Sequence, residues 1–243
     1  MRRTWRAWLA LAAAGALAFT SLLASAQGRE PFTVVRVDLA TQQLRLFWRD
    51  DLGRPLRRLD RLAAWLKGQG RTLSFGMNAG MFHADGGPVG LLVIDGRELA
   101  PLNLEDRVGQ GNFFLKPNGV FLIDAQGARV VDAVDYAATS HDGVLYATQS
   151  GPLLLKNGEI HQAFRPLSAS RYIRNGVCAQ GGQAIFVISE RPVSFHEFAS
   201  FFRDGLHCRE ALYLDGAVSS LYSPRLERYD AWHDLGPLFA VTD

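Results

Sequence analysis

The chain predicts an α+β fold: a mixed, strongly curved β-sheet with two main helices in a single domain. Three observations predict it. From residue 32 onward, short apolar runs alternate with turns rich in Gly, Asp and Asn, the pattern of many strands. Only two stretches carry a helical period. No Pro- or Ser-rich linker, repeat or low-complexity segment divides the chain after residue 31, and its length suits one substantial core.

The elements follow in order. Residues 32–39 and 43–48 alternate enough to read as a hairpin-like strand pair. Residues 56–69 read as the first helix, with Leu56, Leu59, Leu62, Ala63 and Leu66 on one stripe and Gly68 and Gly70 as the stop. Strands are expected near 72–78, 89–95, 118–123, 128–134, 144–148 and 152–155, with Asp95-Gly96 and Asn157-Gly158 as hairpin turns. Strands near 171–179 and 183–189 follow. The second helix opens at Ser194 with Glu197 three residues on, a capping box, carries Phe195, Phe198, Phe201 and Phe202, and ends near Gly205.

The first 26 residues read as a secretory signal. Arg2, Arg3 and Arg6 precede an apolar core, and Ala24-Ser25-Ala26 is a small-x-small exit before Gln27. An uncleaved anchor is the alternative, and the exit favours cleavage. The domain is then 27–243, exported to a periplasmic or extracellular space, with no stable membrane insertion after cleavage. The chain has 26 basic and 24 acidic residues; removing Arg2, Arg3 and Arg6 leaves 23 against 24. No dense basic run remains, which argues against a nucleic-acid partner. Cys178 and Cys208 are a candidate disulfide in an oxidising compartment, or else two buried thiols.

The candidate chemistry starts at Ala211–Ser220, where an apolar strand runs into Asp215-Gly216 and then Ser219 and Ser220. A strand end is a rigid place from which to present an acid beside a loop. An ordinary Asp-Gly turn is the plainer reading. The stretch FGMNAGMF (75–82) has the same form: a strand meets Asn78, a donor and acceptor, and then Gly80, where backbone can approach a ligand closely. His83 follows closely.

Seven segments in order, FGMNAGMF, GPVGLLV, GQGNFFLKPNGVF, ATQSGPLLL, IRNGVCA, FVISERPVSFHEFASFFRD and ALYLDGAVSS, span roughly residues 73–222. Together they resemble the phosphodiester glycosidases related to the mannose-6-phosphate uncovering-enzyme domain, closest to a bacterial exported branch. Two departures stand out. Ala217 and Val218 fill a turn that is Gly-rich in better-known members, and Ala79 separates Asn78 from Gly80. Sugar specificity is therefore not carried over.

The resemblance implies a hydrolase acting on a phosphodiester-linked or otherwise substituted sugar of an envelope glycan, a carbohydrate or sugar-phosphate substrate, and no cofactor. Such chemistry needs a proton donor or acceptor, stabilisation of oxocarbenium character, and a grip on the phosphate. Asp215 is the first carboxylate candidate, and Glu190, ending the strand before Pro192, the second. Arg174 is the phosphate candidate, since a guanidinium can hold two phosphate oxygens; a structural ion pair with Asp215 or Glu190 is the alternative. Asn112, Gln149 and Ser150 sit in polar corners that either line the pocket or only turn the chain. Gly216, Ser219 and Ser220 complete the substrate-binding set. No Gly-x-Ser-x-Gly elbow supports a serine nucleophile. Six scattered histidines show no metal-ligand spacing, so no metal is expected. A non-catalytic periplasmic glycan-binding module is the rival reading.

Overall fold

Three sheets of six, five and five strands share one core. The computed structural model describes residues 30–243; the expected signal segment and the Gln27 boundary lie outside the described residues. The strands are β1 (Phe32–Asp38), β2 (Leu44–Phe47), β3 (Leu73–Asn78), β4 (Leu92–Ile94), β5 (Arg97–Ala100), β6 (Gly119–Asp124), β7 (Gly127–Asp132) and β8 (Tyr146–Ser150). They continue with β9 (Leu153–Lys156), β10 (Glu159–Ile160), β11 (Asn175–Gln180), β12 (Gln183–Ser189), β13 (Ala211–Tyr213), β14 (Leu221–Ser223), β15 (Arg228–Tyr229) and β16 (Leu238–Thr242). The helices are α1 (Leu59–Gly68), α2 (Ala133–Ala137) and α3 (Phe195–Ser200), the last continued by a wider turn over Phe201–Gly205.

The first sheet runs β1-β12-β11-β13-β9-β10, the second β15-β14-β3-β16-β2, the third β5-β4-β8-β6-β7. The α+β single domain stands as expected. In place of one mixed sheet there are three, and the strand pairs among the described residues are antiparallel. The centre holds Phe186 of the first sheet, Phe75 and Phe239 of the second and Phe121 of the third, with neighbouring ring centroids 4.9 to 6.2 Å apart. Each is buried, which contributes about 1.5–3 kcal/mol per ring. The stripe Leu59, Leu62 and Leu66 packs α1 on Leu73, Leu238 and Ala240 of the second sheet. Phe198 and Phe202 pack α3 and its extension on Cys178, Ile185 and Val187 of the first.

Several boundaries differ from the sequence reading, each for a local reason. β1 and β2 do not form a hairpin: β1 pairs with β12 and β2 with β16. Alternation marks a strand but not its partner. Helix α1 starts at Leu59, because Leu56 donates to Trp48 O and Arg57 takes a positive φ of 59°. The strand expected to 134 stops at Asp132, whose side chain caps α2 by accepting from Val134 N at 2.8 Å. The strand expected from 171 starts at Asn175. The capping box at Ser194 and Glu197 is formed, and Arg171 beside Glu197 pulls the Glu197 carboxyl down to about 2. Asp95-Gly96 and Asn157-Gly158 both turn hairpins with positive φ at both residues.

Candidate active site

Strand ends from all three sheets meet at one place: the end of β3 from the second, the start of β11 and the end of β13 from the first, and the end of β8 from the third. Asn78 fastens three of these segments. Its Nδ2 donates to Asp215 O at 2.8 Å, and its Oδ1 accepts from Asn175 Nδ2 and Ser220 N, both at 2.9 Å. Leu214 N donates to Asn175 O and Asp215 N to Ala79 O, so the chain leaves β13 stitched to both sheets. Asn78 is 1% exposed, and its amide is engaged by protein. Expected as a sugar ligand, it is instead the fastener of the turn that carries the acid. Burying an amide without partners would cost more than the contact to a ligand could return.

Asp215 is only partly buried. Burial pushes its carboxyl up to about 6, and the Ala217 amide only partly opposes this. Among the described residues no cation pairs with it. The alternative of an ion pair between Arg174 and Asp215 or Glu190 is not formed.

Arg174 is 1% exposed. Nε donates to Val193 O at 2.9 Å, Nη2 to Ser170 O at 3.2 Å and Nη1 to the Tyr213 hydroxyl at 3.4 Å. The guanidinium lies 3.6 Å over the Phe195 ring. All three nitrogens face protein, so the open phosphate fork expected here is absent. A buried guanidinium without a carboxylate is tolerable only where carbonyls and an aromatic face replace water. Burial lowers its pKa, yet an arginine remains charged. Arg174 contacts Tyr213, whose phenol feels the charge of Asp215. That phenol lies against Gly216, where an added Cβ would come within 1.8 Å of the hydroxyl oxygen. Burial pushes Tyr213 up to about 12, the charge of Arg174 opposes this, and Asp215 adds to the rise.

The other expected residues divide. Glu190 is held by Arg228 Nη1 at 2.5 Å and the Thr33 hydroxyl at 2.6 Å, a structural pair and not a free second carboxylate. Gln149 is 1% exposed and ties two loops, accepting from Leu91 N and Asn103 N and donating to Asn103 O. It is a structural clamp, not a pocket wall. Gly80 is a packing glycine: a Cβ would lie 2.3 Å from Gln149 O, and its N–H reaches Thr148 Oγ1. The Ser219 hydroxyl sits 3.0 Å from Gly216 O and 3.2 Å from Asn175 Oδ1, and Ser220 donates to Val218 O. Both caps serve the turn, and neither meets a base. Ser150 is fully buried, and its hydroxyl has no partner among the described residues. His83 and Asn112 are exposed, on the loop after Gly80 and at the start of a short 3-10 turn over Asn112–Phe114. Cys178 and Cys208 form a disulfide with Cα atoms 6.4 Å apart, joining β11 to the segment that enters β13. Among the described residues no cluster of His, Cys, Asp and Glu could hold a metal.

Sequence reasoning missed Asn175, Tyr213 and Phe195. Asn175 adjoins Arg174 in the same motif, and a second polar residue at a strand start was the available signal. Tyr213 precedes Asp215 by two residues and read as core. Phe195 read as helix packing, and nothing in its spacing revealed the stacked cation.

The model of the family described as phosphodiester glycosidase matches residues 71–230. The uncharacterized protein YigE of Escherichia coli (strain K12) is 34% identical over 187 residues, 76% of this chain and 72% of that protein. The catalytic domain of zebrafish N-acetylglucosamine-1-phosphodiester alpha-N-acetylglucosaminidase, auto-inhibited by its pro-peptide, shares the fold with a TM-score of 0.51 at 15% identity. That alignment covers 87% of this chain and 88% of the other. A hypothetical protein from Synechocystis also has a TM-score of 0.51, at 14% identity, over 87% of this chain and 59% of its own. A family pattern spanning β3 to β15 and a relative one-third identical over most of both chains carry the same conclusion: the chain belongs to the phosphodiester glycosidase family.

Proposed function

We propose that the protein is an exported hydrolase that cleaves a sugar from a phosphodiester, with Asp215 as general acid and an envelope glycan as the source of the substrate. The observation that carries this is the Asp215 carboxyl. It stands at a fastened strand end, without a cation, with burial raising its pKa to about 6. A general acid works best when its pKa lies near the working pH, and desolvation is the usual means of placing it there.

In the proposed step the protonated Asp215 gives its proton to the phosphate oxygen that leaves the anomeric carbon. The carbon–oxygen bond breaks, and the electron pair stays with the departing phosphate monoester. Water then adds to the carbon and releases its own proton, leaving a free sugar. Arg174 does not touch the phosphate in this scheme. Its buried charge, relayed through Tyr213, favours an anionic ligand above the floor, because charge acts at longer range where water is excluded. The family resemblance supports the substrate class, and the Ala24-Ser25-Ala26 exit supports export. The test is hydrolysis of a methyl sugar-1-phosphate by wild type and Asp215→Asn, with the released sugar quantified. Equal rates from the two proteins sink the assignment of Asp215.

A further inference from the structure

Two exposed aromatic residues lie on segments anchored beside the Asp215 turn, and the acid chemistry uses neither. Trp232 is 85% exposed and Tyr172 62% exposed. Single exposed apolar side chains are common on proteins. These two differ because of where the backbone fixes them.

Trp232 rides on an arch with both feet on the site. At one foot, Asp230 N donates to Leu221 O at 3.0 Å and Asp230 Oδ2 accepts from Leu221 N at 2.9 Å; Leu221 follows Ser220. At the other foot, Pro237 O accepts from Ala79 N at 2.9 Å, and Ala79 O accepts from Asp215 N. Gly236 lies against Phe82, and Leu235 N donates to Arg57 O at 2.7 Å. Arg57 also pairs with Asp234 at 3.1 Å, bracing the arch beside Trp232.

Tyr172 stands across the turn. Its backbone N–H and C=O both bond to Val193. The next carbonyl, Ile173 O, lies 3.5 Å from the Ser219 hydroxyl, and the Tyr172 ring lies 5.5 Å from the Arg174 guanidinium carbon. The 215–220 turn crosses from β13 of the first sheet to β14 of the second. Tyr172 is on the first-sheet side, and Trp232 is on the second-sheet side.

We infer that Tyr172 and Trp232 are stacking platforms for sugar rings on the two sides of the scissile phosphodiester, so the substrate is a chain of sugars and not a single substituted sugar. The inference rests on the proposed reading of the Asp215 site. A pyranose offers a face of C–H groups that packs on a flat ring while its hydroxyls stay hydrated. Exposed aromatics on anchored backbone therefore suit a solvated polymer, since little ordering is required when it binds. A closed apolar pocket would instead fit one sugar.

The test separates binding from turnover. Mature Asp215→Asn protein is titrated calorimetrically with methyl N-acetylglucosamine 1-phosphate and with the tetramer of poly(N-acetylglucosamine 1-phosphate). The tetramer is expected to bind more tightly. Trp232→Ala and Tyr172→Ala, each added to Asp215→Asn, are expected to cut that preference by roughly 2- to 10-fold, the range of one aromatic contact. Trp232→Phe and Tyr172→Phe keep a ring and are expected to keep most of it. Absence of tetramer binding, absence of a preference, or a preference untouched by both alanine changes overturns the inference. Wild-type turnover of the tetramer is measured separately. If it is nil while the tetramer preference responds as expected, the hydrolase reading falls and the sugar platforms remain.

Discussion

β12 and β13 flank the same strand of the first sheet, and each hands a carboxylate to the segment after it. Glu190 follows β12 and meets Arg228 at 2.5 Å, with Asp230 on the same guanidinium at 2.9 Å. Asp215 follows β13 and, among the described residues, meets no cation; burial raises its pKa, and the Ala217 amide only partly opposes this. Two acids with the same sequence signature thus have different chemistry. Position on a strand delivers a carboxylate, and its neighbours decide whether it can move a proton.

The largest expected effect breaks or upholds that contrast directly. Asp215→Asn keeps shape and removes the proton, so turnover is expected to fall by roughly 10²–10⁴-fold with the fold kept. Glu190→Gln is expected to leave turnover within about threefold, because its partners are structural. Comparable losses from both would mean that Glu190 acts on substrate after all. With a general acid of pKa about 6, activity also declines as pH rises beyond that value, since the protonated form disappears. A profile that climbs from pH 5 to 8 would show Asp215 acting as a base.

Gly216→Ala sharpens the contrast by attacking what surrounds only one of the acids. The new Cβ would lie 1.8 Å from the Tyr213 hydroxyl, and that ring is buried against Phe195. Neither ring nor turn can give way without freeing the Arg174 contact. A cost of about 1–3 kcal/mol in denaturant unfolding is expected, typical of overpacking, together with loss of activity. Normal stability and normal turnover would show that the phenol does not need its seat on Gly216.

Much of this was legible in the chain. The α+β class, the stripe of α1, the capping box of α3 and both hairpin turns followed from local pattern. Hydrogen bonds join the strand ends that carry Asn78 and Asp215, while the Arg174 side chain faces Val193, Ser170 and Tyr213. What the chain hid was which way each polar group faces. Gln149 and Asn78 read as ligand groups because polar residues at strand ends often are, yet Gln149 satisfies backbone groups of Leu91 and Asn103, and Asn78 those of Asp215 and Ser220. The pairing of β1 with β12, more than 140 residues apart, carries no local signal. The stack of Arg174 on Phe195 is likewise a long-range contact between residues whose spacing reveals nothing.

The smallest expected effect is on stability, and the two acids should move it in opposite directions. An aspartate has a pKa of about 3.9 in an unfolded chain. In the folded protein Asp215 holds its proton to about 6. Below pH 4 both states are protonated, and the group costs nothing. Between pH 4 and 6 the folded state binds the proton that the unfolded chain has released, so stability falls as pH rises, and it levels off above 6. The rise from about 3.9 to about 6 corresponds to at most roughly 3 kcal/mol, reduced because the carboxyl keeps some contact with water. Asp215→Asn removes this slope and is expected to melt higher than wild type at pH 7 while matching it at pH 4. Glu190→Gln removes one charge from a pair near the surface and is expected to cost no more than about 1 kcal/mol, less in high salt. Melting both variants and wild type from pH 4 to 8 checks the signs. A wild type that gains stability relative to Asp215→Asn on going from pH 4 to 7 would place the Asp215 charge in a favourable environment and erase the difference between the two acids.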